Sequence, residues 1–435
     1  MSSDWSSDVC SSDLVFVDAE GARAAARPAD ARTRRGERLG ALDGVPFHLK
    51  DNLFWEGRPA TWGSRLYADH VAPADDHPVR ALRRAGAIPF AKTNTPEFAM
   101  AQVTDNALFG PTRNPRDPAR TPGGSSGGAA AAVALGLGPF GLATDAGGSI
   151  RRPAGYCGVA GLRTALGSVP RRHGFPATAF DLQTIGPIAR TAADVALVFA
   201  VIAGEGRGMS KPLDAERPSL ALILDGEGIV LEPEVRAAAL AMADTLSKLG
   251  WRIETIAPPW SRAAVDDAFA RLTAAAMTRL RGGHARERWD AEAGAAAQTL
   301  AARGEALGAV DVVACLDEVQ ALRAASLDWF DRHALWLMPT SPCRAWEVTA
   351  PSPATIAGVP VDARAASVYT TVANLAGLFG LALPAPVAAD ALPVGMQLVG
   401  PAGREALAFD VARALHEAAA VASGEPVRAI AADAP

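Results

Sequence analysis

Residues 121–163 read TPGGSSGGAAAAVALGLGPFGLATDAGGSIRRPAGYCGVAGLR and contain twelve glycines with few charges. Two clusters of glycine and serine stand out, GGSSGG at 123–128 and GGS at 147–149. Glycine lets a backbone turn sharply and approach a ligand where a Cβ atom would prevent it. A flexible linker could share this composition, but the flanking runs are apolar and typical of strands. The pattern therefore favours two tight turns inside a folded domain.

The chain on both sides of this stretch alternates between strand and helix patterns. Residues 44–52 (GVPFHLKDN) predict a buried strand that ends at a polar Lys–Asp pair. Residues 185–204 predict a helix, and residues 220–256 predict a strand, a helix and a second strand. Strand patterns return from residue 335, and a last helix covers 403–421. This alternation predicts an α/β fold: a single large domain with a mixed, mostly parallel central sheet covered by helices on both faces.

Composition divides the chain into three parts. Residues 1–14 (MSSDWSSDVCSSDL) repeat SSD without a helical or strand period. We expect this segment to be non-native or disordered, and the native start to have been lost. Residues 15–425 form the domain, with an Ala-rich helical insertion at about 261–335, and residues 426–435 form a tail.

Overall composition limits the classes of function. The chain has 435 residues, 49% of them hydrophobic, a net charge of −5 and a pI near 5.9, so it lacks the basic excess of a nucleic-acid-binding protein. Its cysteines, Cys10, Cys157, Cys315 and Cys343, lack CxxC spacing, and no apolar run is long enough to cross a membrane. We therefore expect a cytoplasmic protein without membrane or direct nucleic-acid contacts.

Motifs for metals and cofactors are missing or poorly matched. There is no HExxH motif and no GxxxxGK[ST] loop, and the seven histidines show no ligand spacing. Residues 136–141 (GLGPFG) match GxGxxG, but Pro139 interrupts the motif, and no capped helix or distant acidic residue follows clearly. We expect neither a metal nor a cofactor.

The GGSSGG cluster also satisfies GxSxG in two registers, with Ser125 or Ser126 at the centre. This is the pattern of the nucleophile elbow in α/β-hydrolases, which need a histidine later in the chain. His333 and His416 are available, so an α/β-hydrolase-type esterase stays open as an alternative.

Several motifs in order carry a more specific interpretation. Lys50 in GVPFHLKDN, Ser125 in GGSSGG and Ser149 in TDAGGSIRRP are followed by IGPIARTAADVALVFAVIAG, MPTSP, NLAGLFGLALPAP and LPVGMQLVGP. This arrangement resembles the amidase signature family, the Ser-cisSer-Lys amide hydrolases, from Val15 to about Val421. The resemblance implies that Ser149 is the nucleophile, Ser125 a proton bridge and Lys50 the base.

The chemistry of these residue types is compatible with those roles. A serine hydroxyl is a weak nucleophile until a base removes its proton, and the amine that leaves an amide must receive one. A lysine can act as that base only when its pKa lies well below the usual value, and burial among apolar neighbours lowers it. The alternative is that Lys50 merely pairs with Asp51 at the end of the strand.

Further site residues follow from the resemblance. Consecutive amides from Ala146, Gly147, Gly148 and Ser149 would form an oxyanion hole, because glycines leave the turn uncrowded. The family's peptide bond at Gly124–Ser125 is cis. Ser126 is expected to bond to Lys50, while Asp145 and Arg151 match positions that brace the loop.

The resemblance implies hydrolysis of a linear carboxamide through a Ser149 acyl-enzyme, with a small-molecule amide as substrate; a homodimer is left open. The alternative within the family is the glutaminase (A) subunit of a tRNA-dependent amidotransferase. Members of that group usually carry an aspartate three residues before the threonine of their xxTxxxNLAG segment, where this chain has Ser367 before Thr370. The carboxylate for the glutamine amine is thus missing on this alignment.

Overall fold

The protein is described by a computed structural model that covers residues 13–204, 217–388 and 390–423. Its centre is an eleven-stranded sheet in the order β1-β3-β2-β4-β6-β5-β12-β13-β9-β7-β8, beside a small sheet of β10 and β11. The strands are β1 Leu14–Val17, β2 Pro46–Lys50, β3 Ile88–Thr93, β4 Phe140–Asp145, β5 Ala160–Arg163, β6 Thr184–Ala189, β7 Leu220–Leu222, β8 Ile253–Thr255, β9 Leu335–Pro339, β10 Thr355–Ile356, β11 Val359–Pro360, β12 Phe379–Pro384 and β13 Gly395–Gly400.

Helices connect and cover these strands. In the described part of the chain they are α1 Ala19–Arg35, α2 His77–Arg84, α3 Gly127–Ala134, α4 Arg151–Cys157, α5 Ala192–Ala203, α6 Pro233–Lys248, α7 Arg262–Arg281, α8 Arg286–Glu292, α9 Ala295–Glu305, α10 Ala309–Asp328, α11 Thr371–Leu375 and α12 Glu405–Ser423. Four consecutive helices, α7 to α10, thus occupy the segment between β8 and β9. None of the described helices is long and apolar enough to cross a membrane.

Both faces of the sheet are covered, as the fold class requires. On β9, Leu335 and Leu337 belong to a core cluster that includes residues of α5, α6 and α12. The alternating residues Trp336 and Met338 belong to a second cluster with residues of α7, α10 and α11. Because successive side chains of a strand point to opposite faces, the two clusters lie on opposite sides of the sheet. The predicted α/β domain with a mixed sheet between helical layers is confirmed.

The distribution of parallel strands is more specific than the sequence pattern indicated. Among the described strands, parallel pairing occupies two flanks, β3-β2-β4 and β9-β7-β8. The other six neighbouring pairs are antiparallel. The reason is that β6 returns between β4 and β5, and β12 pairs directly with β13. The helix predicted over residues 185–204 begins only at Ala192, because Thr184–Ala189 pair with β4 and β5 as strand β6. A local pattern does not reveal such an inserted strand, so the sheet is less parallel than expected.

The expected domain boundary at residue 14 needs correction. Leu14 pairs with Thr93 in the outer strand pair of the sheet, and the Asp13 carbonyl accepts a hydrogen bond from the Asn94 amide. Asp13 and Leu14 therefore belong to the domain. Residues 1–12 and the predicted tail at 426–435 lie outside the described residues.

The fold brings the two Gly/Ser clusters together at one edge of the sheet. Strands β2 and β4 are parallel neighbours, and they end at Lys50 and Asp145. The 123–128 cluster leads into α3, and the 147–149 cluster leads from β4 into α4. Carboxyl ends of adjacent parallel strands with helix N-termini beside them are a common place for ligand sites in α/β folds.

Candidate active site

Lys50 lies at the centre of this edge, with no solvent exposure. Its Nζ donates hydrogen bonds to Ser125 Oγ at 2.6 Å, Ser126 Oγ at 3.0 Å and Thr144 Oγ1 at 3.3 Å. These three partners are uncharged hydroxyl groups. Burial lowers the pKa of Lys50 well below its ordinary value, although the negative charge of Asp145 acts in the opposite direction. Burial therefore makes the neutral amine more accessible at Lys50 than at an exposed lysine.

The alternative that Lys50 pairs with Asp51 is wrong. Asp51 turns away and pairs with Lys92, whose Nζ lies 3.3 Å from Asp51 Oδ1. Lys92 also donates to the carbonyl oxygens of Leu53 and Pro59, and the Asp51 carboxylate accepts from Thr61. The second buried lysine thus fixes the loop after β2, and Lys50 remains beside the serines.

The GGSSGG cluster forms a tightly packed turn. The Gly124–Ser125 peptide bond is cis, as the family resemblance implied. A Cβ at Gly124 would lie 2.5 Å from the Val103 carbonyl oxygen, so only glycine fits there. Ser126 Oγ donates to the Thr144 carbonyl, and the Ser126 amide donates to the Ser149 carbonyl at 3.2 Å. That last bond joins the two Gly/Ser clusters directly.

Ser149 is half-buried at the end of the second turn. Within the described residues its hydroxyl forms no hydrogen bond, in contrast to the hydroxyls of Ser125 and Ser126. The structure therefore brings Lys50, Ser125 and Ser126 into direct contact and places Ser149 in the adjoining turn, connected to them through its backbone carbonyl.

The expected oxyanion hole requires one correction. The Gly148 amide donates to Asp145 Oδ1 at 2.8 Å, so it is already used within the turn. In the described structure the amides of Ala146, Gly147 and Ser149 donate to no other group. These three neighbouring N–H groups, in contrast to that of Gly148, have no hydrogen-bond partner among the described residues.

Asp145 and Arg151 form a buried ion pair beside this turn. Asp145 Oδ1 accepts from Arg151 Nη2 at 3.0 Å and from Asn374 Nδ2 at 2.9 Å, and Asp145 Oδ2 accepts from the Ile150 amide. Burial alone would raise the pKa of Asp145, but Arg151, Arg163 and Asn374 hold it well below its ordinary value. The carboxylate stays ionised and serves as an anchor.

The other chemistries considered from sequence do not fit this geometry. In the described part of the chain no histidine hydrogen-bonds to Ser125, Ser126 or Ser149; His333 contacts Glu254 and His416 lies on α12. The described structure thus places no histidine where the esterase alternative requires one. The GxGxxG match at 136–141 follows α3 and leads into β4, the reverse of the strand-to-helix order of dinucleotide sites. Across residues 13–204, 217–388 and 390–423, no cluster of His, Cys, Asp or Glu is arranged to hold a metal.

Sequence reasoning missed several residues that shape the site. Thr144 accepts hydrogen bonds from both Lys50 and Asn52, and Thr370 Oγ1 donates to the Gly147 carbonyl at 2.9 Å. Arg152 contacts both turns. In the sequence, Thr144 and Arg152 are distinguished only by being adjacent to expected site residues: Thr144 precedes Asp145, and Arg152 follows Arg151. Thr370 is more than 200 residues from Gly147, so only the folded chain shows the contact.

Comparison with known proteins finds a matching family and similar relatives. The family described as Amidase matches residues 10–409. The A subunit of a glutamyl-tRNA(Gln) amidotransferase from Anaeromyxobacter sp. (strain K) is 37% identical, over 93% of this chain and 88% of the relative.

Solved structures of similar proteins include both kinds of enzyme. A crystal structure of an amidase superposes with a TM-score of 0.84 at 30% identity, covering 94% of this chain and 92% of its own. A bacterial aryl acylamidase of the amidase signature family gives 0.82 at 27% identity, with coverages of 96% and 92%. The A subunit of the glutamyl-tRNA(Gln) amidotransferase from Thermotoga maritima gives 0.70 at 27% identity, covering 92% of each chain. The chain is a member of the amidase signature family.

Proposed function

We propose that the protein hydrolyses the C–N bond of a carboxamide through an acyl-enzyme on Ser149. The observation that carries this proposal is the 2.6 Å hydrogen bond between the fully buried Lys50 amine and Ser125. A neutral amine in this position can accept a proton that Ser125 relays from Ser149. The resulting Ser149 oxygen is a competent nucleophile for a carboxamide carbon.

In each half of the cycle Lys50 accepts one proton and then gives one back, so it ends neutral. Ser149 Oγ attacks the carbonyl carbon while its proton passes through Ser125 to Lys50, and the developing oxyanion is held by the amides of Ala146, Gly147 and Ser149. The C–N bond then breaks, and Lys50 returns the proton through Ser125 to the leaving nitrogen. A water molecule repeats the sequence: its proton goes to Lys50, its oxygen attacks the acyl carbon, and Ser149 leaves with the proton.

Charge beside the second turn favours an amidase over a glutaminase. Arg152 Nη2 donates to Ser367 Oγ at 2.6 Å, at the position where the glutaminase subunits of amidotransferases usually carry an aspartate. The ammonium group of glutamine would therefore meet a buried cation where those subunits supply a carboxylate. Like charges placed together cost several kcal/mol in binding. We infer that neutral aliphatic or aryl amides are better substrates than glutamine.

The glutaminase role remains the second candidate, because the Anaeromyxobacter relative, which is 37% identical over most of both chains, belongs to an amidotransferase. A protein of that kind works as part of a complex with other subunits, in place of the homodimer left open by the sequence. The two candidates share the catalytic residues and differ in the amine subsite.

A substrate panel separates the candidates. Release of the amine product is measured with a simple aliphatic amide, an anilide and glutamine, using the purified chain alone and with amidotransferase partner subunits and charged tRNA. We expect kcat/KM for a neutral amide to exceed that for glutamine by at least about tenfold. The variant Ser367→Asp, which restores the carboxylate, should narrow that ratio. Glutamine turnover that rises strongly with partner subunits and charged tRNA would instead establish the amidotransferase role.

A further inference from the structure

Arg152, the second residue of α4, places a charged group beneath both catalytic turns. Only 2% of its surface is exposed. Its four hydrogen bonds go to uncharged acceptors: Nη1 to the Gly124 carbonyl at 3.2 Å, Nη2 to the Gly147 carbonyl at 3.4 Å and to Ser367 Oγ at 2.6 Å, and Nε to the Ala366 carbonyl at 3.3 Å. One side chain thus joins the two turns and the segment around Ser367.

The two carbonyls on the turns belong to peptide units that adjoin the residues of the proposed mechanism. The Gly124 carbonyl is part of the peptide that continues into Ser125, so fixing it fixes the backbone of the proton bridge. The Gly147 carbonyl is part of the peptide whose N–H belongs to Gly148, and Asp145 holds that N–H from the other side. Holding this peptide at both ends orients the turn that presents Ser149 and its neighbouring amides.

A guanidinium suits this task because its donors form a rigid planar fork. Burial lowers the pKa of Arg152 to about 10, which still leaves the group charged at neutral pH. Keeping a charge in the interior costs free energy, and here it is compensated by carbonyl and hydroxyl acceptors. A shorter or more flexible side chain could satisfy one turn but would not span both.

We propose that Arg152 is a positioning residue, which sets the distance between Ser125 and the turn that carries Ser149. This inference rests on the Ser149 mechanism proposed above. A misplacement of reacting groups by about 1 Å can cost on the order of 100-fold in rate. The loss should therefore appear in kcat and leave the affinity for a neutral amide almost unchanged.

The test compares Arg152→Lys and Arg152→Gln with Ser367→Ala and Arg404→Lys. Arg404 is a matched control, since it also donates to backbone carbonyls, those of Phe330 and Ala334, away from the site. We expect both Arg152 variants to lose about 100-fold in kcat with KM changed less than about threefold, and to react with a fluorophosphonate more slowly in proportion. Ser367→Ala, which removes one of the four bonds, should lose less than about tenfold, and Arg404→Lys should keep its kcat.

A chemical rescue covers the case in which the larger changes unfold the protein. Added methylguanidine should restore part of the kcat of Arg152→Gly, because it can occupy the vacated space and donate to both carbonyls. Wild-type kcat in folded Arg152→Gln, or a rise in KM with unchanged kcat, would overturn the inference. So would an Arg152→Gly variant that is folded and inactive but not rescued. If the wild-type protein itself is not labelled at Ser149, the proposed function fails and not this inference alone.

Discussion

At the scale of single residues, two buried lysines on the neighbouring strands β2 and β3 differ in their bonding partners. Lys92 is neutralised by Asp51 and by backbone carbonyls, which makes it part of the framework. Among the described residues, Lys50 has only hydroxyl groups as hydrogen-bond partners, so none of their carboxylates compensates its burial by direct contact. The difference in partners, and not in burial, supports the proposed role of Lys50 as a base.

Replacing Lys50 should therefore remove turnover. Lys50→Ala is expected to lower kcat/KM by about 1,000-fold, because neither the nucleophile nor the leaving amine then has a proton partner. Lys50→Arg should rescue little, since a guanidinium stays protonated. The control Lys92→Met should lower the melting temperature without a comparable loss of kcat. These values come from steady-state kinetics below all the melting temperatures, and high activity in Lys50→Arg would contradict the base role.

The same lysine sets the pH dependence. Burial lowers its pKa, and only the neutral amine accepts a proton, so kcat/KM should rise with pH as Lys50 loses its proton. The midpoint of that rise should lie well below the ordinary lysine pKa, and the rise should be absent from the residual activity of Lys50→Ala. An activity that falls across this range in the wild-type protein would show that the protonated lysine is the working form.

Sequence was most informative at this scale. Lys50, Ser125, Ser126, Asp145 and Arg151 lie in three compact motifs, and the structure places these motifs together. Gly148 shows what a motif does not predict. Its amide donates to Asp145, and a motif does not reveal which N–H groups are already bonded. The role of Thr370 could not be predicted from the sequence for another reason, since its contact with Gly147 depends on how distant segments pack.

At the scale of elements, the turn between β4 and α4 contains a glycine at which any other side chain would be strained and crowded. Gly148 has a φ of +113°, and a Cβ atom there would overlap the Thr370 hydroxyl. Gly147, by contrast, lies against the ring of Phe269 on α7, at 3.1 Å from an added Cβ. The turn is thus enclosed by α7 on one side and by the segment before α11 on the other.

A methyl group at Gly148 should damage both stability and rate. Gly148→Ala is expected to cost about 1–3 kcal/mol of unfolding free energy and to lower kcat, because the turn must shift away from Thr370. Gly136→Ala is the matched control: Gly136 has a φ of +76° with open space around it, so it loses stability from the backbone conformation alone and should keep its kcat. Thermal unfolding and kinetics measure the two effects, and full activity in Gly148→Ala would show that the turn tolerates displacement.

Most elements around the site could be predicted, while their order in the sheet could not. The strand that ends at Lys50 follows from hydrophobic periodicity. The helix predicted over residues 185–204 is present only from Ala192 to Ala203, and its predicted first part is wrong because Thr184–Ala189 form β6. The return of β6 between β4 and β5 depends on long-range pairing, which a local pattern does not encode. The predicted boundary at residue 14 failed for a similar reason, because β1 is defined by its pairing with β3.

At the scale of the whole molecule, the core holds a histidine that links stability to pH. His48 on β2 is fully buried against Gly141 and the edge of Phe90, and neither ring nitrogen has a hydrogen-bond partner among the described residues. Burial lowers its pKa from 6.5 to about 3. The folded protein therefore keeps this ring neutral under conditions in which an unfolded chain would protonate it.

Stability should consequently fall in acid. Between about pH 6.5 and pH 3 the unfolded state binds a proton at His48 that the folded state does not, so unfolding becomes easier as the pH drops. Equilibrium urea unfolding should show that wild-type protein loses about 1.4 kcal/mol per pH unit more than His48→Leu over this range. His416→Leu, on the outer helix α12, should follow the wild type. Parallel pH curves for wild type and His48→Leu would contradict this linkage.

The central claim is that Ser149 forms the covalent intermediate. Purified protein is treated with a fluorophosphonate, and the modified residue is identified by peptide mass spectrometry in the wild type, Ser149→Ala and Ser125→Ala. We predict one adduct on Ser149, no adduct in Ser149→Ala, and slower labelling of Ser149 in Ser125→Ala because the proton relay is broken. An adduct on Ser125 or Ser126 in the wild type, or undiminished amide turnover by Ser149→Ala, would contradict the claim.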